Sequence, residues 1–233
     1  MNSIKLVAFD LDDTLWDGAA VLAHAETKTF EWMQTHHPDV ASCWSIESLK
    51  SLRKSMISPQ LDYALQLTES RQRSFASAAA QVGYNQGDAT DFAAMAIEVF
   101  LQARSEVELF SGVEELLNDL STSFTLASIS NGNCRVHTTP IGKYFDLSVS
   151  AEEIGAAKPD SGMLSHCQQS LNLSPSECIL VGDSDFYDGQ AARAAGWHFI
   201  HYDVNGLPLE RTINNLAQLP EAIGTFCHSD ETR

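Results

Sequence analysis

The sequence predicts an α/β fold in which a doubly wound parallel sheet core carries an inserted all-helical cap. Two textures predict it. The first is a set of short apolar runs at residues 4–9, 124–129, 147–149, 178–181 and 197–202, each ending near Asp, Ser, Asn or Gly. Continuous apolar runs of this length suit strands buried on both faces of a parallel sheet. Helical spacings separate the later runs: Val113, Leu116, Leu117 and Leu120, then Met163, Leu164, Cys167 and Leu171. Strands alternating with helices in this way build βαβ units.

The second texture fills the stretch between the first two runs. Val21, Leu22, Ala25 and Phe30 mark a helix that ends before Pro38, and Ile46, Leu49, Leu52 and Met56 mark another that ends before Pro59. A third is expected from about Gln60 to Val82 with Gly83 at C′, and a fourth with Asp88 as N-cap, carrying Phe92, Met95, Val99 and Phe100. The expected division is a core of residues 1–17 and 106–233 and a cap of residues 18–105 over the C-terminal edge of the sheet, where open α/β sheets bind ligands. The tail from about Pro220 is expected to close in a short helix, and residues 228–233 to fray.

Composition narrows the function. The 233 residues carry 14 Lys and Arg against 31 Asp and Glu, a formal charge of −17. Nucleic-acid binding is excluded as a general role, because it needs clustered basic residues. No apolar stretch reaches the roughly 20 residues of a bilayer helix, and residues 1–15 lack the basic start of a secretory signal. The expectation is a cytoplasmic monomer or homodimer. Cys43, Cys134, Cys167, Cys178 and Cys227 are scattered, without zinc spacing.

The chemistry gathers at strand ends. Asp10, Asp12 and Asp13 follow the first run directly, where carboxylates repel one another unless a cation or hydrogen bonds compensate. Near-extended backbone would send Asp10 and Asp12 to one side and Asp13 to the other. A second acidic group, Asp183, Asp185 and Asp188, follows the fourth run, at the same edge of a parallel sheet. Converging carboxylates without sulfur or imidazole partners favour a hard cation such as Mg²⁺. Ser130-Asn131-Gly132-Asn133 after the second run offers a hydroxyl and backbone N–H groups suited to phosphate, and Lys158 precedes the fourth run.

These four elements, in this order, resemble the haloacid dehalogenase superfamily, with its Asp-x-Asp-x-Thr, Ser/Thr, Lys and Gly-Asp-x-x-x-x-Asp motifs, Rossmann-like core and C1 cap. The resemblance implies an Mg²⁺-dependent phosphatase of a small phosphorylated metabolite. It makes Asp10 the nucleophile and Asp12 the acid/base. Ser130, Asn131 and Lys158 would hold phosphate. Asp10, Asp183, the Asp12 carbonyl and Asp188 would form the metal group, with Thr14 and Asp13 supporting the loop. The superfamily's 2-haloacid dehalogenases lack the second Asp that stands here as Asp12, and its phosphomutases commonly carry Glu-Asp where this chain has Gly182-Asp183. A silent binding module has no need of the whole set. Arg71, Arg73, Trp16 and His24 are candidate specificity residues, weighed against ion pairing of the arginines with Glu69 or Asp62. Residues 9–15, His37-Pro38, residues 68–73 and residues 130–133 are similar to bacterial flavin mononucleotide phosphatases; nucleotide and sugar phosphates remain open.

Overall fold

A computed structural model describes residues 3–204 and 211–228. Strand β1 (Leu6–Phe9) is the hub, its four apolar side chains all buried. It is flanked by β2 (Thr125–Ser130) and β4 (Cys178–Gly182), with β3 (Leu147–Ser150) outside β2, and β5 (His198–Tyr202) and β6 (Thr212–Ile213) outside β4. Every neighbouring pair is parallel. The strand order 3-2-1-4-5-6 reverses direction between β1 and β4, so a crevice opens beyond their C-terminal ends.

Period-two alternation gives the sheet two cores. Val7, Phe9, Leu126, Ile179 and Val181 face Leu117 and Leu120 of α6 (Val113–Ser121) and Ile223 of α10 (Leu219–His228). Leu6, Ala8, Ala127 and Leu180 face Met163 and Cys167 of α8 (Gly162–Ser170) and Ala191 of α9 (Gln190–Ala195). A short α7 (Ala151–Ile154) follows β3. Burial pushes the thiols of Cys167 and Cys178 up to about 12.

Between β1 and β2 lie α1 (Gly18–His36), α2 (Pro38–Cys43), α3 (Ile46–Met56), α4 (Leu67–Gln81) and α5 (Gln86–Ala103). They pack around Met33, Phe75 and Phe92. The chain leaves and re-enters the sheet side by side: the Phe110 N–H donates to the Leu15 carbonyl at 2.9 Å, and Trp16 pairs with Leu109.

Two expectations need correction, the start of the third helix and the N-cap of α5, and α2 and β6 are elements beyond those expected. Pro38 stops α1 but also starts α2, because proline suits the first helical position. The third helix begins at Leu67, not near Gln60. Residues 58–66 are held out of the α-helix by side chains, apart from a 3₁₀ turn at Tyr63–Leu65: Gln66 accepts from the Ser58 N–H at 2.7 Å and donates to the Ser58 carbonyl at 2.9 Å, and Asp62 accepts from the Ala64 N–H at 2.9 Å. The N-cap of α5 is Asn85, whose Oδ1 accepts the Asp88 N–H at 3.0 Å; Asp88 sits in the first turn, where a carboxylate suits the helix dipole. Strand β6, two residues long, carries no readable pattern. Gly83 does follow the C-cap of α4 with φ +103°. The expected fraying beyond His228 lies outside the described residues. Among the described residues no helix is long and apolar enough to cross a membrane.

Candidate active site

The crevice holds the acidic groups from both strands. Asp10 follows β1 directly, its N–H donating to the Val181 carbonyl at 2.8 Å, and it is only 8% exposed. Its Oδ1 accepts from the Nζ of Lys158 at 2.5 Å. Lys158 is 2% exposed, donates to the Ile129 carbonyl at 2.8 Å, and lies 2.6 Å from Asp188 Oδ1. Asp10, Asp183 and Asp188 each offer one oxygen within 4.8 Å of one another. Three carboxylates against one ammonium leave a formal excess of 3 − 1 = 2 negative charges. Burial, then the neighbouring Asp188, raises the carboxyl of Asp183, and burial raises that of Asp10 well above its ordinary range despite Lys158. Burial acts to lower the Lys158 ammonium, but the flanking Asp10 and Asp188 hold it above its ordinary value. An all-oxygen group with this excess fits one hard divalent cation.

The supports are local. Thr14 donates to Asp183 Oδ1 at 3.3 Å, and the Asp183 carbonyl lies 2.8 Å from His201 Nε2. The Ser184 N–H donates to Asp188 Oδ2 at 3.2 Å. A Cβ at Gly182 would fall 2.4 Å from Asp188 Cγ, so only glycine lets Asp188 fold back onto the strand end. Asp185 turns outward to pair with Arg193 at 2.9 Å and takes no part in the acidic group.

Asp12 faces the same cleft from the other wall. Its Oδ1 accepts from Trp16 Nε1 at 2.8 Å, and its Oδ2 accepts from Arg104 Nη2. Asp13 departs from the expected geometry. It adopts φ +61°, so the backbone turns and carboxylates 10, 12 and 13 all border one cleft. Its Oδ1 accepts the Gly18 N–H at 3.0 Å, which stabilises that turn. Arg104 escaped the sequence reading: it stands at the end of α5, 92 residues from Asp12, with no local motif around it.

The loop after β2 adds a role to one residue. The Asn131 amide is taken up by the loop bearing Lys158, donating to the Lys158 carbonyl at 2.9 Å and accepting its N–H at 2.8 Å. It therefore positions Lys158, and because an amide carries two N–H donors one of them stays uncommitted at the cleft wall that Asn131 lines. Ser130 is buried, its Oγ accepting the Gly132 N–H at 2.9 Å. Gly132 borders the cleft, and a Cβ there would meet Asp12 Oδ2 at 2.8 Å. Asn133 reaches Thr68 of α4 at 3.0 Å, and Thr68 in turn binds Glu152 of α7.

The cleft has a volume of about 470 Å³ and is closed on the helical side by Asp62, Tyr63 and Leu67. None of the four specificity candidates borders it. Trp16 is fully buried and presents no face to a ligand; its ring nitrogen anchors Asp12 instead. Arg73 is 57% exposed and lies 4.0 Å from Glu69 one helical turn away, an ordinary surface pair. His24 pairs with Glu106 at the exposed surface. Arg71 is buried, with its guanidinium 3.7 Å from the centre of the Phe100 ring, and borders a second cavity beside Asp12. Replacing Trp16 by Phe keeps an aromatic ring in the core, at the cost of a small gap, and removes one hydrogen bond to a charged group. The expected result is a folded protein with kcat lowered roughly tenfold, measured by steady-state kinetics.

Comparison with known proteins agrees with this geometry. A family model for haloacid dehalogenase-like hydrolases matches residues 4–196. The chain is 29% identical over 183 residues to 5-amino-6-(5-phospho-D-ribitylamino)uracil phosphatase of Escherichia coli, covering 78% of this chain and 76% of that one. It is 30% identical over 202 residues to a phosphoglycolate phosphatase of Thiobacillus denitrificans, covering 83% and 80%. A solved structure described as a 2-haloacid dehalogenase from Pseudomonas syringae superposes with a TM-score of 0.86 at 32% identity, covering 96% and 99%. With the match running from β1 through α9 and taking in the acidic crevice, the chain belongs to the haloacid dehalogenase-like hydrolase family.

Proposed function

We propose that this protein is an Mg²⁺-dependent hydrolase of phosphoric monoesters that works through an aspartyl-phosphate on Asp10. One observation carries the reading: a buried carboxylate held by Lys158 faces the same cleft as a second carboxylate two residues on. Residues 18–105 act as a cap over a core of residues 1–17 and 106–233.

Asp10, Asp183 and Asp188 would hold the cation, with the Asp12 carbonyl beside them. When bound, Mg²⁺ neutralises their charge and that of the phosphoryl oxygens, which phosphoryl transfer chiefly requires. An Asp10 oxygen attacks phosphorus as the ester P–O bond breaks, and the Asp12 carboxyl gives its proton to the departing oxygen. Asp12, now ionised, takes a proton from water as that water attacks phosphorus and frees Asp10. Trp16 and Arg104 hold Asp12 in place for both transfers. Lys158 and the Ser130 turn hold the phosphoryl oxygens.

The substrate is a small phosphorylated metabolite. Flavin mononucleotide, nucleotides and sugar phosphates are the classes to test, and the relatives named for ribitylaminouracil phosphate and phosphoglycolate support that range. The similar structure described as a 2-haloacid dehalogenase favours a second reading, halide displacement by Asp10. Asp12 and the three-carboxylate group argue against it, since displacement of halide needs neither. Purified protein is expected to hydrolyse p-nitrophenyl phosphate with Mg²⁺, to lose that activity with EDTA and recover it on adding Mg²⁺, and to release no halide from 2-chloropropionate. Halide release, or phosphatase activity indifferent to EDTA, would overturn the reading.

A further inference from the structure

The proposed chemistry leaves a second cavity unused. It measures about 270 Å³ and adjoins the cleft, the two sharing Asp12, Asp13, Tyr63, Leu67 and Gly132 on their walls. Arg53, Arg71 and Arg104 border it. Three of the chain's 14 basic residues thus meet at one place in a protein of net charge −17. Arg71 and Arg104 are 6% and 4% exposed. The Nε atoms of Arg53 and Arg71 and the Nη1 of Arg104 are buried without a hydrogen-bond partner. Buried donors left unpaired are costly, and a group of them marks a place built for acceptors.

Existing partners do not exhaust this charge. Arg104 uses Nη2 on Asp12. Arg71 Nη1 lies 3.5 Å from Glu26 Oε1, but Lys50 already holds the other Glu26 oxygen at 2.7 Å. Arg53 has no ion-pair partner among the described residues. The cavity walls carry three guanidinium groups and two carboxylates, Asp12 and Asp13, a formal excess of 3 − 2 = 1 positive charge. Burial, and next the nearby Arg53, push Arg71 down to about 10, an effect Glu26 offsets only in part.

We propose that this cavity binds a carboxylate carried on the leaving group of the phosphomonoester, received by Arg53, Arg71 and Arg104. A monoanion balances the excess, and the planar guanidinium fork matches the two oxygens of a carboxylate. The inference rests on the phosphatase reading above and adds the substrate's second anchor. It also gives Arg104 two tasks, holding Asp12 on one nitrogen and facing the substrate carboxylate with another.

The test compares 3-phosphoglycerate with glycerol 3-phosphate, which differ only in a carboxylate against a hydroxymethyl group, with p-nitrophenyl phosphate measured alongside. Wild-type protein is expected to favour 3-phosphoglycerate in kcat/KM by roughly tenfold or more. Arg53→Gln and Arg71→Gln should each collapse that ratio toward one; the ratio is read within one preparation, so loss of folded protein does not mimic the effect. Turnover of p-nitrophenyl phosphate without a carboxylate preference, or a preference unmoved in both variants, overturns this inference alone. Absence of turnover on all three esters overturns the phosphatase reading itself.

Discussion

Asp10→Asn is expected to lower phosphomonoester turnover by at least about four orders of magnitude, because it removes the atom that attacks phosphorus. The same substitution removes one of three converging carboxylates from a site with two negative charges in excess. The metal-free variant should therefore be at least as resistant to denaturant as the wild type, since the amide oxygen can still accept from Lys158. Steady-state kinetics beside equilibrium unfolding checks both halves. A variant that loses activity only because it unfolds would contradict the role given to Asp10.

Lys158→Met should do the opposite to stability. Lys158 is 2% exposed and stands between Asp10 and Asp188, and it is their only described ion-pair partner. Removing one partner of a buried charge group leaves the others uncompensated, at a cost of about 3–5 kcal/mol. Unfolding in EDTA should show that loss, and saturating Mg²⁺ should return part of it by binding the folded state alone. Phosphatase activity should remain low with Mg²⁺ present, because the ammonium that meets the phosphoryl group is gone. An Lys158→Met protein as stable as wild type in EDTA would show that the buried carboxylates do not depend on it.

Asp10, Ser130 and Asp183 were readable because each lies at the end of an apolar run, and a parallel sheet delivers all such ends to one edge. Lys158 stands in the loop between α7 and α8, and its place came from the order of the motifs rather than from a strand end. What escaped depends on side-chain direction or on contacts remote in sequence. Arg104 meets Asp12 across the return of the chain from α5, and no pattern of neighbours signals it. Trp16, a possible specificity residue by sequence whose commoner fate is the core, is indeed buried in the core beside Leu109, its ring nitrogen donating to Asp12. Asn131 borders the cleft as its motif suggests, but its hold on the Lys158 loop, 27 residues away, is a contact no local pattern shows. Among the helices, Asn85 and Asp88 are both good N-caps three residues apart, so composition alone could not choose between them. Gln60 to Gln66 has helical spacing but is held in turns by Asp62 and Gln66.

The central claim is that Asp10 carries the phosphoryl group between the two halves of the reaction. Borohydride quenching of protein turning over a phosphomonoester with Mg²⁺, followed by peptide mass spectrometry, tests it most directly, because borohydride reduces an acyl phosphate to an alcohol. The account predicts conversion of residue 10 to homoserine, dependent on substrate and absent in Asp10→Asn. Reduction at another carboxylate, or an unmodified Asp10 in protein that is hydrolysing substrate under the same conditions, would contradict it.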